Sequence, residues 1–347
     1  MNMNRSKHTF SLAAGILALA ACLAAGCAKE GKTATNEDAK RFMDAWISVH
    51  HPEARPTGLG VYVIDDQPGD GSALGDEEYV FIERTMTDLD GAVTATTSEA
   101  MAVQVGSYDA ANYYGPIVIR RNKAYTETGY LEILRGMRVG GKRTAVIPGW
   151  LNVTADYATA GEYVDNESGD NVICTIRLVD KYDDIYAWEI DTLERFVARW
   201  MDGVDSTAFG YYYKVLKPST ATTDIPNDST FYINYTGRLL NGKVFDTTVA
   251  DTAKRYGIYS SSKTYKPVRI TKNEDFTAIT MESASTATTG SGSTLVNGFS
   301  YTLSKMRRFE KGICAFSSLD AYGYAGSGSG IPRHAPVCFE IELVDTP

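Results

Sequence analysis

Long runs of basic residues are missing from this chain. Its 34 Lys and Arg are outnumbered by 43 Asp and Glu, for a formal net charge of −9. With no Lys/Arg-rich stretch to offset that balance, nucleic acid is not an expected partner. Histidine is scarce, four in 347 residues. His50 and His51 are adjacent and cannot share a helix face at ligand spacing, and no third ligand is in view, so no metal site is expected. The Gly/Ser-rich run 323–330 lacks a following Lys-Ser/Thr and is not a phosphate loop. Beyond residue 27 only Cys174, Cys314 and Cys338 remain. Strand alternation sets Cys338 opposite Val337, Phe339, Ile341 and Leu343, whereas Cys314 shares a face with Phe316. Sulfurs on opposite faces of one sheet cannot bond, so no disulfide is expected.

What is present begins with an N-terminal signal. Arg5, Lys7 and His8 precede an apolar run from Phe10 to Ala25. It is short and rich in small residues, which suits a secretory signal rather than a membrane span. Leu23-Ala24-Ala25-Gly26-Cys27 is similar to a bacterial lipoprotein box, whose cysteine sulfur receives diacylglycerol. Leu19-Ala20-Ala21-Cys22 fits the same pattern, but the apolar stretch continues through Cys22 whereas polar Lys29-Glu30 soon follows Cys27. Cys27 is therefore the preferred lipidation site. Residues 1–27 are read as the signal and 28–37 as a polar tether. Acyl chains at roughly 0.8 kcal/mol per buried methylene hold a protein on a membrane it does not span. The expected location is the cell envelope, on a periplasmic or surface face.

The mature chain contains one unit twice. Arg41-Phe42-Met43-Asp44-Ala45-Trp46 is echoed by Arg195-Phe196-Val197-Ala198-Arg199-Trp200, each in a helical-looking segment. Gly60-Val61-Tyr62-Val63-Ile64 is answered by Gly210-Tyr211-Tyr212-Tyr213-Lys214-Val215, and Tyr79 to Ile82 with Asp90-Gly91 by Phe231 to Ile233 with Asn241-Gly242. The run from Gly136 to Arg143 corresponds to Lys305 to Gly312, and Ile173 to Asp180 to Cys338 to Asp345. Two domains follow, 38–180 and 209–347, joined by a linker helix within 181–208. Phe299, Leu303 and Met306 fall at i, i+4 and i+7, on one face of a short helix suited to cover a sheet. Segments Thr247 to Tyr265 and Thr271 to Thr294 read as polar surface insertions in the second copy.

The stretch Phe231 to Asp246 (FYINYTGRLLNGKVFD), then Ala321-Tyr322-Gly323, Ile331-Pro332 and the strand Val337 to Val344, resembles the FKBP-type peptidyl-prolyl cis-trans isomerases. The resemblance implies an α+β fold of two tandem FKBP-like domains, each a twisted antiparallel sheet wrapped around a short helix, with a lead-in helix before each. It also implies an active site between helix and sheet. Carried over residue by residue, the catalytic set is Tyr235, Phe245, Asp246, Phe299, Tyr322 and Phe339. Val268, Leu295, Val296 and Ile331 would contact substrate, and His334 would be structural. In that scheme Tyr322 offers its hydroxyl to the substrate carbonyl, and a backbone amide at Leu295-Val296 holds a ligand carbonyl. The chain departs from the family pattern in places. Val268 stands where an aromatic is usual, Phe299 where many members have Trp, Ser327-Gly328-Ser329-Gly330 makes an unusually small flap tip, and residues 317–320 lack a common proline.

In the first copy Arg84 stands for Tyr235, Thr94-Ala95 for Phe245-Asp246, Thr126-Glu127 for Leu295-Val296 and Cys174 for Phe339. Trp150-Leu151-Asn152-Val153 offers no Ala-Tyr-Gly turn, while Gly129, Met137, Gly140 and Pro148 are retained. A pocket without its aromatic wall desolvates a prolyl ring poorly, so the first domain is expected to fold without catalysing. The expected partners are proline-containing polypeptides and, by the resemblance, macrolide-type inhibitors. No cofactor is expected, and dimerisation is left open. Two rivals stand beside the isomerase: a non-catalytic peptide-binding chaperone and a docking component of an envelope complex.

Overall fold

The computed structural model describes residues 35–222, 225, 229–272, 279–281 and 293–346. The signal and lipidation cysteines, most of the tether and most of 273–292 lie outside them. Helix α1 (Thr35–His50) opens the first unit, whose strands are β1 (Tyr62–Gln67), β2 (Tyr79–Thr87), β3 (Val93–Thr96), β4 (Ile117–Arg120), β5 (Lys142–Ile147) and β6 (Val172–Tyr182). Its further helices are α2 (Glu99–Gln104), α3 (Thr128–Leu134) and α4 (Ala160–Asn166). Helix α5 (Ile185–Trp200) leads to strands β7 (Tyr211–Lys217), β8 (Thr230–Leu239), β9 (Val244–Thr247), β10 (Val268–Lys272), β11 (Ile279–Met281), β12 (Ser293–Thr294), β13 (Lys311–Phe316) and β14 (Val337–Val344). Helices α6 (Ala250–Arg255) and α7 (Asn297–Lys305) complete the second unit.

The two sheets share one antiparallel topology. The first runs β1-β5-β6-β2, with β3 and β4 both on the outer side of β2. The second runs β7-β13-β14-β8, with β9 and β10 both on β8. Residue registers match as well. Arg84 lies opposite Ile176 and Tyr235 opposite Ile341, which makes Arg84 and Tyr235, and likewise Cys174 and Phe339, equivalent positions. Both β-hairpin turns end on a glycine at φ +91, Gly91 and Gly242, with open space where a Cβ would stand. There the backbone conformation, not crowding, calls for glycine. The tandem α+β architecture expected from the internal echo is therefore what the chain adopts.

Two segments differ from expectation. Within Thr271 to Thr294, read as a polar loop, β11 and β12 extend the second sheet beyond β10. Thr247 to Tyr265 is not peculiar to the second copy: α2 and the loop after it repeat α6 and its loop. Tyr108 stacks on Tyr114 at 5.5 Å and Tyr259 on Tyr265 at 5.1 Å. In each loop the second tyrosine's hydroxyl accepts from a backbone amide, Asp109 N at 3.1 Å or Ser260 N at 3.0 Å. The echo is hard to see because little more of each loop persists than Gly106 and Gly257, the paired tyrosines and the following Pro116 and Pro267.

The cores sit between each sheet and its short helix. In the second unit Phe299, Leu303 and Met306 pack with Ile233, Tyr235, Cys314, Phe316, Phe339 and Ile341. Cys338 lies on the other face, with Leu193 and Val197 of α5. Gly298 allows α7 to press on the sheet, since a Cβ there would lie 2.5 Å from the Phe316 ring; Gly129 does the same against Ile147 at 2.4 Å. Helix α5 is more than a tether. Ile185 packs with Phe81 and Val118 of the first sheet, and Leu193, Val197 and Met201 pack with Tyr212 and Ala315 of the second. Between these ends Glu189 is fully buried and accepts from Ser318 N and Ser318 Oγ, both at 2.7 Å. His334 lies beside it, edge-on to Tyr79 of the first unit with ring centroids 5.4 Å apart. Among the described residues no helix is long and apolar enough to cross a membrane.

Candidate active site

In β8 the alternation of apolar residues turns Phe231, Ile233 and Tyr235 toward α7. Register then decides what surrounds Tyr235. Phe339 lies opposite Gly237 in the neighbouring strand, and Asp246 lies opposite the same glycine from β9. A Cβ at Gly237 would lie 2.6 Å from the Phe245 ring and 2.7 Å from the Phe339 ring. Only glycine lets both rings close over the sheet. The two phenylalanines meet at 84° with centroids 5.6 Å apart.

Phe339 is the hub of the aromatic cluster. Phe299 meets it edge-on at 4.9 Å, Tyr235 at 6.3 Å, and Phe316 stacks behind it at 5.8 Å. Tyr235 also meets Phe299 at 5.6 Å, and Tyr322 meets Phe245 at 6.2 Å, each pair near perpendicular. Edge-to-face pairs of this kind contribute about 0.5–1.5 kcal/mol each beyond burial. Val268, Leu295, Val296, Ile331 and Tyr322 belong to or pack against the same cluster. The ten residues named from the sequence are thus brought together in one place.

The polar groups are arranged asymmetrically. The Tyr235 hydroxyl donates to Asp246 Oδ2 at 2.6 Å, and Thr247 N donates to Oδ1 at 2.8 Å. Lys263 pairs with the same carboxylate. Burial first, then the Asp246 charge, pushes the Tyr235 phenol well above its ordinary value. Tyr322 is raised for the same reasons in the same order. No hydrogen bond to the Tyr322 hydroxyl is present among the described residues, and this half-buried phenol keeps its proton. Lys263, Phe316 and the need for Gly237 were not singled out from sequence. The last was signalled by the Tyr-Thr-Gly triplet, but Lys263 sits in a stretch read as an insertion.

The first unit carries other residues at the corresponding positions. Met86 stands where Gly237 does, and its partners there are Cys174 and Ala95 rather than Phe339 and Asp246. Tyr130 occupies the place of Phe299, so one aromatic is retained at the floor. Its hydroxyl donates to Met86 Sδ at 3.1 Å and is also bonded by Arg84. Burial pushes the Cys174 thiol up to about 12, so it is no nucleophile. Among the described residues no group of three His, Cys, Asp or Glu could hold a metal ion.

The sequence model of one protein family matches residues 222–344: FKBP-type peptidyl-prolyl cis-trans isomerase. The second unit thus carries an FKBP-type domain. No curated protein matches the chain. Among solved structures, the three FKBP domains of wheat FKBP73 are similar at 14% identity, covering 85% of this chain and 99% of that one, with a TM-score of 0.29. FkpA from Escherichia coli is similar at 15% identity over 52% of this chain and 75% of its own, with a TM-score of 0.30. A peptidyl-prolyl cis-trans isomerase from Pseudomonas syringae pv. tomato is similar at 22% identity over 47% of this chain and 96% of its own, with a TM-score of 0.30.

Proposed function

We propose that the second unit is a peptidyl-prolyl cis-trans isomerase acting on exported or envelope polypeptides, and that lipid on Cys27 holds the chain at the cell envelope. The observation that carries the isomerase reading is the aromatic cluster of Phe245, Phe299 and Phe339, with Tyr322 set against Phe245 at its half-buried edge. Rotation about an X-Pro bond crosses a barrier of roughly 18–20 kcal/mol because the amide must give up its resonance. Lowering it requires a site that binds the twisted amide better than either planar isomer. Phe245, Phe299 and Phe339 supply dry walls for a prolyl ring, and in a dry site a hydrogen bond to the reoriented carbonyl is stronger. Tyr322 is the donor in this reading. Tyr235 is held by Asp246 and acts as wall rather than donor. Uncatalysed isomerisation takes tens of seconds or more, which gives such an activity something to accelerate in folding clients.

A second reading, peptide holding without turnover, is favoured by one observation: the first unit keeps the scaffold while Met86, Arg84 and Tyr130 stand at its cleft positions. A protease-free isomerisation assay on the full chain separates the two. Acceleration proportional to enzyme, and reduced in Tyr322→Phe, supports the isomerase; rates no faster than buffer with intact peptide binding support the holdase. For the anchor, Cys27→Ala and Cys22→Ala are followed with labelled palmitate. Label lost only in Cys22→Ala overturns the proposed site.

A further inference from the structure

The first unit reaches into the rim of the second unit's cleft. The loop 106–116, between α2 and β4, is closed on itself by the Tyr108–Tyr114 stack, and its tip is laid on the second unit. Tyr113 N donates to Ser329 O at 2.7 Å, and Ser329 Oγ bonds Asn112 Oδ1, so the Ser-Gly-Ser-Gly flap tip is held by the first unit. Lys243, in the turn before Phe245, bonds Ala110 O. Burial lowers the Lys243 pKa against the raising pull of Asp109 and Glu99, as expected of an amine covered by this loop. A Cβ at Gly330 would lie 2.8 Å from Ala111 O and 4.0 Å from Phe245 Cβ, which sets the loop backbone beside a cleft wall.

Tyr113 is the side chain that matters here. Half-buried, it packs against the core cluster of the second unit alongside Phe245, Val268, Leu295, Val296 and Tyr322. Its hydroxyl is turned back to donate to Pro116 O at 3.0 Å. The ring is thereby offered to the second unit as an apolar surface, with its polar atom satisfied inside its own loop. The equivalent loop of the second unit ends on the exposed residues Ser260 to Thr264.

We infer that the catalytically silent unit supplies the outer wall of the second unit's cleft, with Tyr113 as a specificity-determining residue that selects prolyl peptides carrying a large apolar residue beside the proline. A peptide held between Phe245 and the flap leaves the cleft past segment 110–113, where an aromatic face rewards apolar bulk and offers nothing to a small residue. The inference rests on the second unit binding prolyl peptides.

The test uses the full chain and two X-Pro peptides, X being Phe or Ala, with a matching Pro-X pair. Wild type and Tyr113→Ala are compared by the Phe/Ala ratio of kcat/KM. Because the ratio is internal to each protein, it does not depend on the fraction folded; Tyr113→Leu, which keeps buried bulk, serves as a second variant. The wild type is expected to favour Phe in at least one pair, and Tyr113→Ala to shrink that preference about three- to tenfold. An unchanged ratio overturns the inference, and so does an equal rise for all peptides, which marks the loop as a plug. If the wild type accelerates no peptide, the isomerase reading fails separately and the same ratios are read as binding constants by calorimetry. There, too, an unchanged ratio, or no binding, overturns the inference.

Discussion

Gly237→Ala is the smallest change that reaches the heart of the cleft. The added methyl would stand 2.6 and 2.7 Å from carbons of the Phe245 ring and 2.7 Å from Phe339 Cε1, where relaxed carbon pairs sit at about 3.5–4.0 Å. A ring must therefore move by about an ångström. Phe339 cannot retreat, being 3% exposed with Phe316 stacked behind it and Phe299 against its edge. Phe245 is half-buried and swings outward, opening the wall that faces Tyr322. Overpacking of this kind costs about 1–3 kcal/mol of stability. If the displaced wall removes as little as about 1.4 kcal/mol of transition-state binding, kcat/KM falls about tenfold. Urea unfolding and the isomerisation assay measure the two effects. Gly312→Ala is the control: its methyl would meet the Tyr213 ring at 2.5 Å, on the same face of the sheet but toward the edge strand β7, away from Phe245 and Tyr322, so it should lose similar stability while each folded molecule keeps its kcat/KM. A Gly237→Ala protein within about 0.5 kcal/mol of wild type and equally active would refute the idea that these ring positions make the cleft.

Removing the buried carboxylate with Glu189→Ala orphans Ser318 N–H and Oγ–H and should cost about 2–4 kcal/mol in urea unfolding, with Glu189→Gln milder; no loss would mean that α5 is not fastened to the second unit through this group. Tyr322→Phe should lower kcat/KM about three- to tenfold with an unchanged circular dichroism spectrum, and an unaltered rate would remove the hydroxyl from the reaction. Because the Tyr322 phenol is raised above its ordinary value, it keeps its proton as pH rises. The rate should accordingly stay flat to about pH 9 and fall only above the usual phenol range near 10. A fall centred near neutrality would assign control to another group.

Much of this architecture is legible in the sequence because strand alternation and turn chemistry are local. Asn241-Gly242 and Asp90-Gly91 mark two hairpins, and the spacing of Phe299, Leu303 and Met306 marks the helix over the sheet. The site residues could be named because the stretch Phe231 to Asp246 and the Ala321-Tyr322-Gly323 turn resemble a family motif; the pairing of Asp246 with Gly237 passes through a register shift beside Arg238 that the Asn241-Gly242 turn does not announce. What escaped depends on contacts distant in sequence. The role of Met86 becomes clear only when β2 is set beside β6, and that of Lys263 only when its loop folds back on Asp246. Tyr113 belongs by sequence to the unit read as silent, and no periodicity within that unit says that its loop lies on another domain. The two strands inside 271–294 were missed because they are only three and two residues long in a polar stretch, and their pairing is set by the neighbouring edge.

The central claim, that the second copy works and the first does not, is tested most directly by exchange NMR on an X-Pro peptide with the full chain and its Phe245→Thr variant, which gives the second cleft the residue that the first has at Thr94. The account predicts exchange rising in proportion to wild-type protein and falling by at least about tenfold in the variant at equal fold. Exchange unchanged by Phe245→Thr, or absent from the wild type, would contradict it.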